Sequence, residues 1–169
     1  MKLSLIAAMD QRRLIGSMNG GLPWQGIEQD REHFRSYVEG KALLLGRKTF
    51  EEMEGWFDLE HRPYILTRNR NYTPKTSARV AFSFDEVIGL AEKEAETELV
   101  VCGGAAIYEQ AINSADLIIL TIIHTTFTVQ GTPKFFPDWD TERFSEISRQ
   151  EFSPSEKTDF GISIVHLQS

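Results

Sequence analysis

Cysteine is nearly absent from this sequence. Cys102 is the single one in 169 residues, which excludes an intramolecular disulfide and a cysteine-built zinc site. Long apolar runs are missing as well. The two longest, Leu3 to Met9 and Leu117 to Ile123, fall far below the roughly 20 residues of a membrane-spanning helix, so no membrane association is expected. The four histidines, His33, His61, His124 and His166, are scattered rather than spaced as ligands, and no metal is implied. Positive charge is in deficit, and the formal net charge of −7 argues against a nucleic-acid surface. There is no internal repeat and no low-complexity tract. The first nine residues carry one lysine and an apolar core at the lower limit for a secretory leader. The motifs that follow need Ile15 onward, so Leu3 to Met9 reads as the first strand of a mature chain. With the lone cysteine this points to the cytoplasm.

What is present suits one α/β domain. Apolar residues make up 41% of the 169, enough for a single core and too few for two comfortable domains. Branched and aromatic runs predict strands at Leu3–Met9, Ala42–Leu45, Pro63–Thr67, Val80–Phe82, Glu98–Cys102, Asp116–Ile123, Phe144–Phe152 and Phe160–Leu167. Helical spacing appears at Glu28–Val38, Thr49–Glu54, Asp85–Ala95 and Ala105–Asn113. Strands and helices alternate, which predicts a mostly parallel eight-stranded sheet flanked by about four helices. The last two strands leave no room for a crossover helix and should form a C-terminal antiparallel hairpin.

Charge is unevenly placed. From Arg62 to Phe84 there are five basic residues and no acid, whereas Asp85 to Glu98 holds six acids and one lysine. Such a basic segment either accommodates an anion or is a solvated face. Two strand-to-helix turns bear on the choice. In "ALLLGRKTF", residues 42 to 50, a buried strand ends at Gly46 and Arg47-Lys48-Thr49 open a helix, where unpaired amides, a Thr cap and two cations suit an anion. An ordinary Thr-capped turn fits the same residues. In "ELVVCGGAAIYEQA", residues 98 to 111, a strand ends in Gly103-Gly104, where backbone amides can approach a ligand closely. This is not the G-x-G-x-x-G dinucleotide fingerprint. Together the two turns and Arg68 favour a polyphosphate at the carboxyl edge of the sheet. A separate oddity lies in the helix at Glu28–Val38. Its apolar stripe is Ile27, Phe34, Tyr37 and Val38, and Asp30 falls on that stripe, as a structural acid, a cap or a functional carboxylate.

Nine stretches in register, "SLIAAM" (4–9), "IG" (15–16), "LPW" (22–24), Asp30 with Phe34, "GRKTFE" (46–51), "ILTRN" (65–69), "CGGAAIYEQ" (102–110), "LTII" (120–123) and "FFPDW" (135–139), resemble dihydrofolate reductase over the whole chain. The resemblance implies NADPH-dependent reduction of 7,8-dihydrofolate by a monomer that also binds antifolate inhibitors such as trimethoprim. It implies that Asp30 is the single active-site acid, with Trp24, Thr121 and Leu22 completing the catalytic group. Ile6, Ala8, Arg31, Phe34, Cys102 and Tyr108 would border the substrate, Met53 and Leu59 its benzoyl group, and Arg62 its glutamate carboxylate. For the cofactor, Ala7, Ile15, Gly16, Asn19, Leu22, Cys102 and Tyr108 would lie at the nicotinamide end. Lys48, Thr49, Gly103, Gly104, Ala105 and Ala106 would lie at the pyrophosphate and Arg47 with Arg68 at the 2′-phosphate, and Gly46, Leu66, Thr67 and Ile107 would also contact the cofactor.

The chain departs from the family pattern in places. One residue is added between Ile15 and Trp24, in the loop Gly16–Leu22 expected to close over the nicotinamide, and one between Trp24 and Asp30. Glu28 is the alternative acid. Arg31 stands where an apolar residue is common. "LEHRPYILTR" is one residue short before its Thr-Arg, so His61 competes with Arg62 for the carboxylate. Thr132 replaces an acid that in some relatives ties two loops together. Two other readings stay open: a superfamily reductase of the riboflavin-synthesis type, and a non-catalytic nucleotide-binding protein with the same fold.

Overall fold

The computed structural model describes residues 1–169 apart from Gln25, Asp58, Leu59 and Lys157. The elements run β1 (Lys2–Asp10), β2 (Leu14–Ser17), α1 (Glu28–Val38), β3 (Ala42–Gly46), α2 (Arg47–Glu52), β4 (Arg62–Leu66), β5 (Arg79–Ala81) and α3 (Phe84–Lys93). They continue with β6 (Glu98–Gly103), α4 (Ala105–Ala111), a 3-10 turn (Ile112–Ser114), β7 (Leu117–Ile123), β8 (Pro133–Phe135), β9 (Ser145–Phe152) and β10 (Ile162–Gln168). Eight strands form one sheet in the order β5-β4-β3-β6-β1-β7-β10-β9. The first six are mutually parallel, while β10 runs antiparallel to β7 and β9 antiparallel to β10. The expected mixed sheet and closing hairpin are therefore present. The short strands β2 and β8 pair separately and were not expected from the sequence.

The central strands are mainly apolar because helices cover both faces. Successive side chains alternate across the pleat. Leu3, Leu5, Ala7 and Met9 of β1 join Val87 and Ala91 of α3 and Ile107, Tyr108 and Ala111 of α4 in one cluster. Ile6 of β1, with Leu43 and Leu45 of β3, joins Val38 of α1 and Phe50 of α2 in the other. The start of α3 is closed by Ser83, whose hydroxyl accepts from the Glu86 amide at 3.2 Å, and by Glu86, whose carboxylate accepts from the Phe82 amide at 2.7 Å.

Polar groups gather where α1 leaves the sheet. The Tyr37 hydroxyl donates to Glu98 at 2.6 Å, the Ser4 hydroxyl donates to the same carboxylate at 2.5 Å, and Lys2 and Lys41 lie 3.7 Å from it. Alongside, the rings of His33 on α1 and His166 on β10 are 5.5 Å apart, and Nε2 of His33 is enclosed without a hydrogen-bond partner. Burial lowers the pKa of both imidazoles below the ordinary 6.5, His166 adding to the effect on His33 and Lys2 to that on His166. A lowered folded pKa contributes stability above the unfolded value, and that stability is lost as pH falls through the folded one. Thermal stability should therefore drop as pH is lowered from 7 to 5, and His33→Phe should flatten the decline. Melting curves across that range decide it; parallel profiles for wild type and variant would remove the pair from the account.

Candidate active site

Helix α1 turns Asp30 toward β7. There Thr121 is 2% exposed and pairs in register with Ala8 of β1, so the two side chains lie together on the α1 face of the sheet. Burial raises the pKa of Asp30 above its ordinary value. A hydrogen bond from the Thr121 side chain and the charge of Arg31 offset part of that rise. Tyr108 of α4 donates to the Ile6 carbonyl at 2.7 Å, and burial, Cys102 and Asp30 together push its pKa well up. The Cys102 thiol is likewise pushed up by burial, which makes it a poor nucleophile. The structure therefore brings Ile6, Ala8, Asp30, Cys102, Tyr108 and Thr121 to one place. A half-buried carboxylate there, beside one hydroxyl, suits a flat ring offering two N–H groups side by side.

Aromatic side chains pack on the elements around this acid. Trp24 is buried with Ile27, Ile123 and Ile162, and Ala8 and Phe127 pack against them. Phe34 lies 5.3 Å from Trp56, centroid to centroid, and shares a cluster with Met53 and Phe57. Trp56 and Phe57 were not singled out from the sequence; the only signal was the aromatic pair in "GWF" after α2. Leu59 lies outside the described residues. The Arg31 guanidinium folds back against Gly26, where an added Cβ would sit 2.9 Å from its Cζ.

The two strand-to-helix turns are neighbours, because Leu45 of β3 pairs with Gly103 of β6. The Gly103–Gly104 peptide is cis and Gly103 has φ +111°; a Cβ on Gly103 would come within 3.1 Å of the Tyr108 hydroxyl. At that φ any side chain would be strained, and the close approach adds to the preference for glycine. Thr49 does not cap α2. The helix begins at Arg47, two residues before the sequence suggested, so Thr49 falls inside its first turn and its hydroxyl would lie 3.4 Å from a Cβ on Gly104. Helices of six and seven residues offer mainly their unpaired first-turn amides. Those of Lys48 and Thr49 and of Ala105 and Ala106 belong to this group, and Ile107 packs against Gly46 between the turns. Arg47 pairs with Glu51 at 3.2 Å and lies 5.9 Å from the centre of the Tyr72 ring, whose amide bonds back to Asn69, next to the exposed Arg68. Thr67, buried beside Leu66, accepts from the Asn69 amide at 3.1 Å. This donor set, glycine-lined amides, a hydroxyl and two arginines, fits a dinucleotide phosphate. Ala7 is buried on the α4 face of the sheet, and Ile15 packs against the same cluster.

The loop Gly16–Leu22, with its added residue, is anchored by backbone pairing. The Met18 amide donates to the Thr132 carbonyl at 2.9 Å, extending the β2–β8 pairing, and Asn19 packs on Gly131. Backbone pairing thus joins the loops without the missing acid. Met18, Asn19 and Gly20 also line a cleft with Lys48, Glu51 and Glu52. Leu22 is 56% exposed, so this arrangement does not bring it into the acid's apolar surroundings.

Arg62 requires correction. It opens β4 on the same side as Tyr64, the α3 side, and its guanidinium donates to Glu96 at 2.6 and 2.8 Å and to the Gly40 carbonyl at 2.9 Å. Shortening a strand's lead-in by one residue sends the next side chain to the opposite face. His61 instead packs against Trp56, ring centroids 4.4 Å apart and tilted by 42°, and lines a cleft with Arg35, Ser36, Glu39 and Glu60.

The sequence profile described as dihydrofolate reductase matches residues 2–169. A dihydrofolate reductase of Staphylococcus haemolyticus is 32% identical over 160 residues, 95% of this chain and 91% of that one. One from Bacillus subtilis is 30% identical over 158 residues, covering 94% and 89%. In three dimensions the chain is similar to dihydrofolate reductase from Enterococcus faecalis complexed with NADP(H) and RAB-propyl, with a TM-score of 0.87, 28% identity, and coverage of 99% of this chain and 95% of that one.

Arg62→Leu should act on stability. It strands Glu96, whose side chain is 8% exposed, and should cost about 1–3 kcal/mol, a Tm loss of about 2–10 °C by calorimetry. An unchanged Tm would mean that the pair contributes nothing.

Proposed function

The chain belongs to the dihydrofolate reductase family, and we propose on that premise how its residues serve the NADPH-dependent reduction of 7,8-dihydrofolate to tetrahydrofolate. The observation that carries the reading is the desolvated Asp30 beside Thr121. Its carboxylate accepts two parallel hydrogen bonds from the amino group and ring nitrogen of the pterin, and Thr121 steadies the same edge. The raised pKa favours protonation of the bound ring near neutral pH, with water carrying the proton to the ring nitrogen beside the acceptor carbon. NADPH, when bound, supplies the hydride. Ala7, Ile15 and Tyr108 border its nicotinamide, Thr49 with Gly103 to Ala106 holds the pyrophosphate, and Arg47 with Arg68 selects the 2′-phosphate. Leu22 and Asn19 cover the rings when the loop closes.

Phe34, Met53 and Trp56 pack on the benzoyl group. With Arg62 tied to Glu96, the carboxylate end falls to Arg35 and His61, which line the outer cleft. Antifolates carrying a diaminopyrimidine would meet the same Asp30. A monomer follows from the family reading alone, and the lone cysteine supports the cytoplasm.

Absorbance at 340 nm should fall when the protein meets NADPH and dihydrofolate, and much more slowly with NADH. Asp30→Asn should reduce turnover by about 10²-fold or more near pH 7 and leave NADPH affinity nearly intact. The same change should raise Tm. A carboxyl whose folded pKa exceeds its unfolded one is stabilising only below the unfolded value, and loses that benefit as pH rises through the folded one. The gain should be largest at pH 7 and shrink toward pH 4. Wild-type turnover of the variant across pH 6 to 8 would sink the role. Arg35→Ala should raise the KM for dihydrofolate about two- to fivefold without changing that for NADPH, as suits an exposed pair; equal effects on both would refute the carboxylate assignment.

A further inference from the structure

Asp10 ends β1 on the α1 face of the sheet, two residues after Ala8, and is completely enclosed. A buried carboxylate persists only where donors replace its water. Oδ1 accepts from the amides of Arg12 at 2.8 Å and Leu14 at 2.9 Å, and Oδ2 accepts from the amide of Phe127 at 2.9 Å. The Arg12 guanidinium lies 3.8 Å from Oδ2 and donates to the Phe127 carbonyl at 2.6 Å. The turn between β1 and β2 is closed by the Arg13 amide on the Asp10 carbonyl at 2.9 Å, with Arg13 itself at φ +67°. One side chain thus joins two segments that lie more than a hundred residues apart.

Each segment leads to one side of the reaction site. Leu14 begins β2, and the next residue is Ile15. Phe127 packs on Trp24 at 5.4 Å and on Phe160 at 5.4 Å, in the cluster that includes Ala8. We propose that Asp10 is a positioning residue for the reaction: its carboxylate fixes the spacing between the Ile15 wall on the cofactor side and the Phe127–Trp24 wall on the pterin side. The proposal rests on the reading given above for Ile15 and Trp24. Two flat rings must be held at about 3–3.5 Å, and an error of about 1 Å can cost on the order of 10²-fold in rate. A short, two-oxygen side chain bonded at both ends suits that demand. An asparagine in its place keeps one acceptor but points an amide donor at N–H groups on the other side, so one of the two connections must break.

Asp10→Asn should therefore bind NADPH and a non-reducible folate analogue within about threefold of wild type, by tryptophan fluorescence titration. Its single-turnover rate of NADPH oxidation with dihydrofolate should fall about tenfold or more. Amide hydrogen exchange should speed up at Phe127 or at Arg12 and Leu14 while remaining unchanged in β3 and β4. Ser163→Ala, which also removes part-buried hydrogen bonds but joins neither wall, should lower Tm and keep the single-turnover rate within about twofold. A folded Asp10→Asn with a rate within about twofold of wild type would overturn the proposal. If that variant fails to fold, Phe127→Leu keeps the backbone bond and removes the ring behind Trp24; it should slow turnover with NADPH affinity retained, and a wild-type rate would overturn the proposal equally. Inactive wild type would instead defeat the reading of the reaction.

Discussion

A half-buried carboxylate on the inward face of a helix is the constraint around which the site is organised. Asp30 gains little from its surroundings: a Thr121 hydrogen bond and the charge of Arg31 do not cancel the effect of burial. A fold that served stability alone would place an apolar residue on that stripe. The carboxyl is tolerated because neighbours over-determine its place. α1 is pinned on one side by the apolar packing of Phe34 and Val38 and on the other by the Tyr37–Glu98–Ser4 hydrogen bonds.

The sheet supplies the rest through register. Ala8 opposite Thr121 leaves a small side chain beside the acid, and Leu45 opposite Gly103 places the openings of α2 and α4 side by side. Strand β1 lies between β6, whose end carries the paired glycines, and β7, which carries the hydroxyl. Its own alternation divides the work, with Ala7 facing α4 and Ala8 facing α1. A binding surface for two flat rings thus follows from parallel strands ending at one edge, where open α/β sheets present their ligand crevices.

Much of this was legible in the sequence where the signal is local. The amphipathic pattern placed α1 at its observed bounds, and the short link before the final strand fixed the antiparallel hairpin. Asp30 stood out because a carboxylate on an apolar stripe violates the pattern that surrounds it. Features that depend on distant partners were not legible. β2 and β8, four and three residues long, acquire their identity only from each other. Arg62 was misplaced because one residue of spacing decides which face of β4 a side chain takes, and Glu96, its partner, lies 34 positions away. The helix opening at Arg47 rather than Thr49 changed Thr49 from a cap into a neighbour of Gly104. His33 and His166 gave no sign of meeting, since one belongs to α1 and the other to the last strand.

The central claim is that Asp30 is partly desolvated in the free protein, enough to raise its pKa before any ligand arrives. Titration of the Asp30 side-chain carboxyl by carbon-13 NMR, identified by its loss in Asp30→Asn, measures this directly. The account predicts a midpoint clearly above the ordinary 3.8 of an aspartate. A midpoint at or below that value would mean that water or a cation already satisfies the carboxylate, and would contradict the role assigned to it.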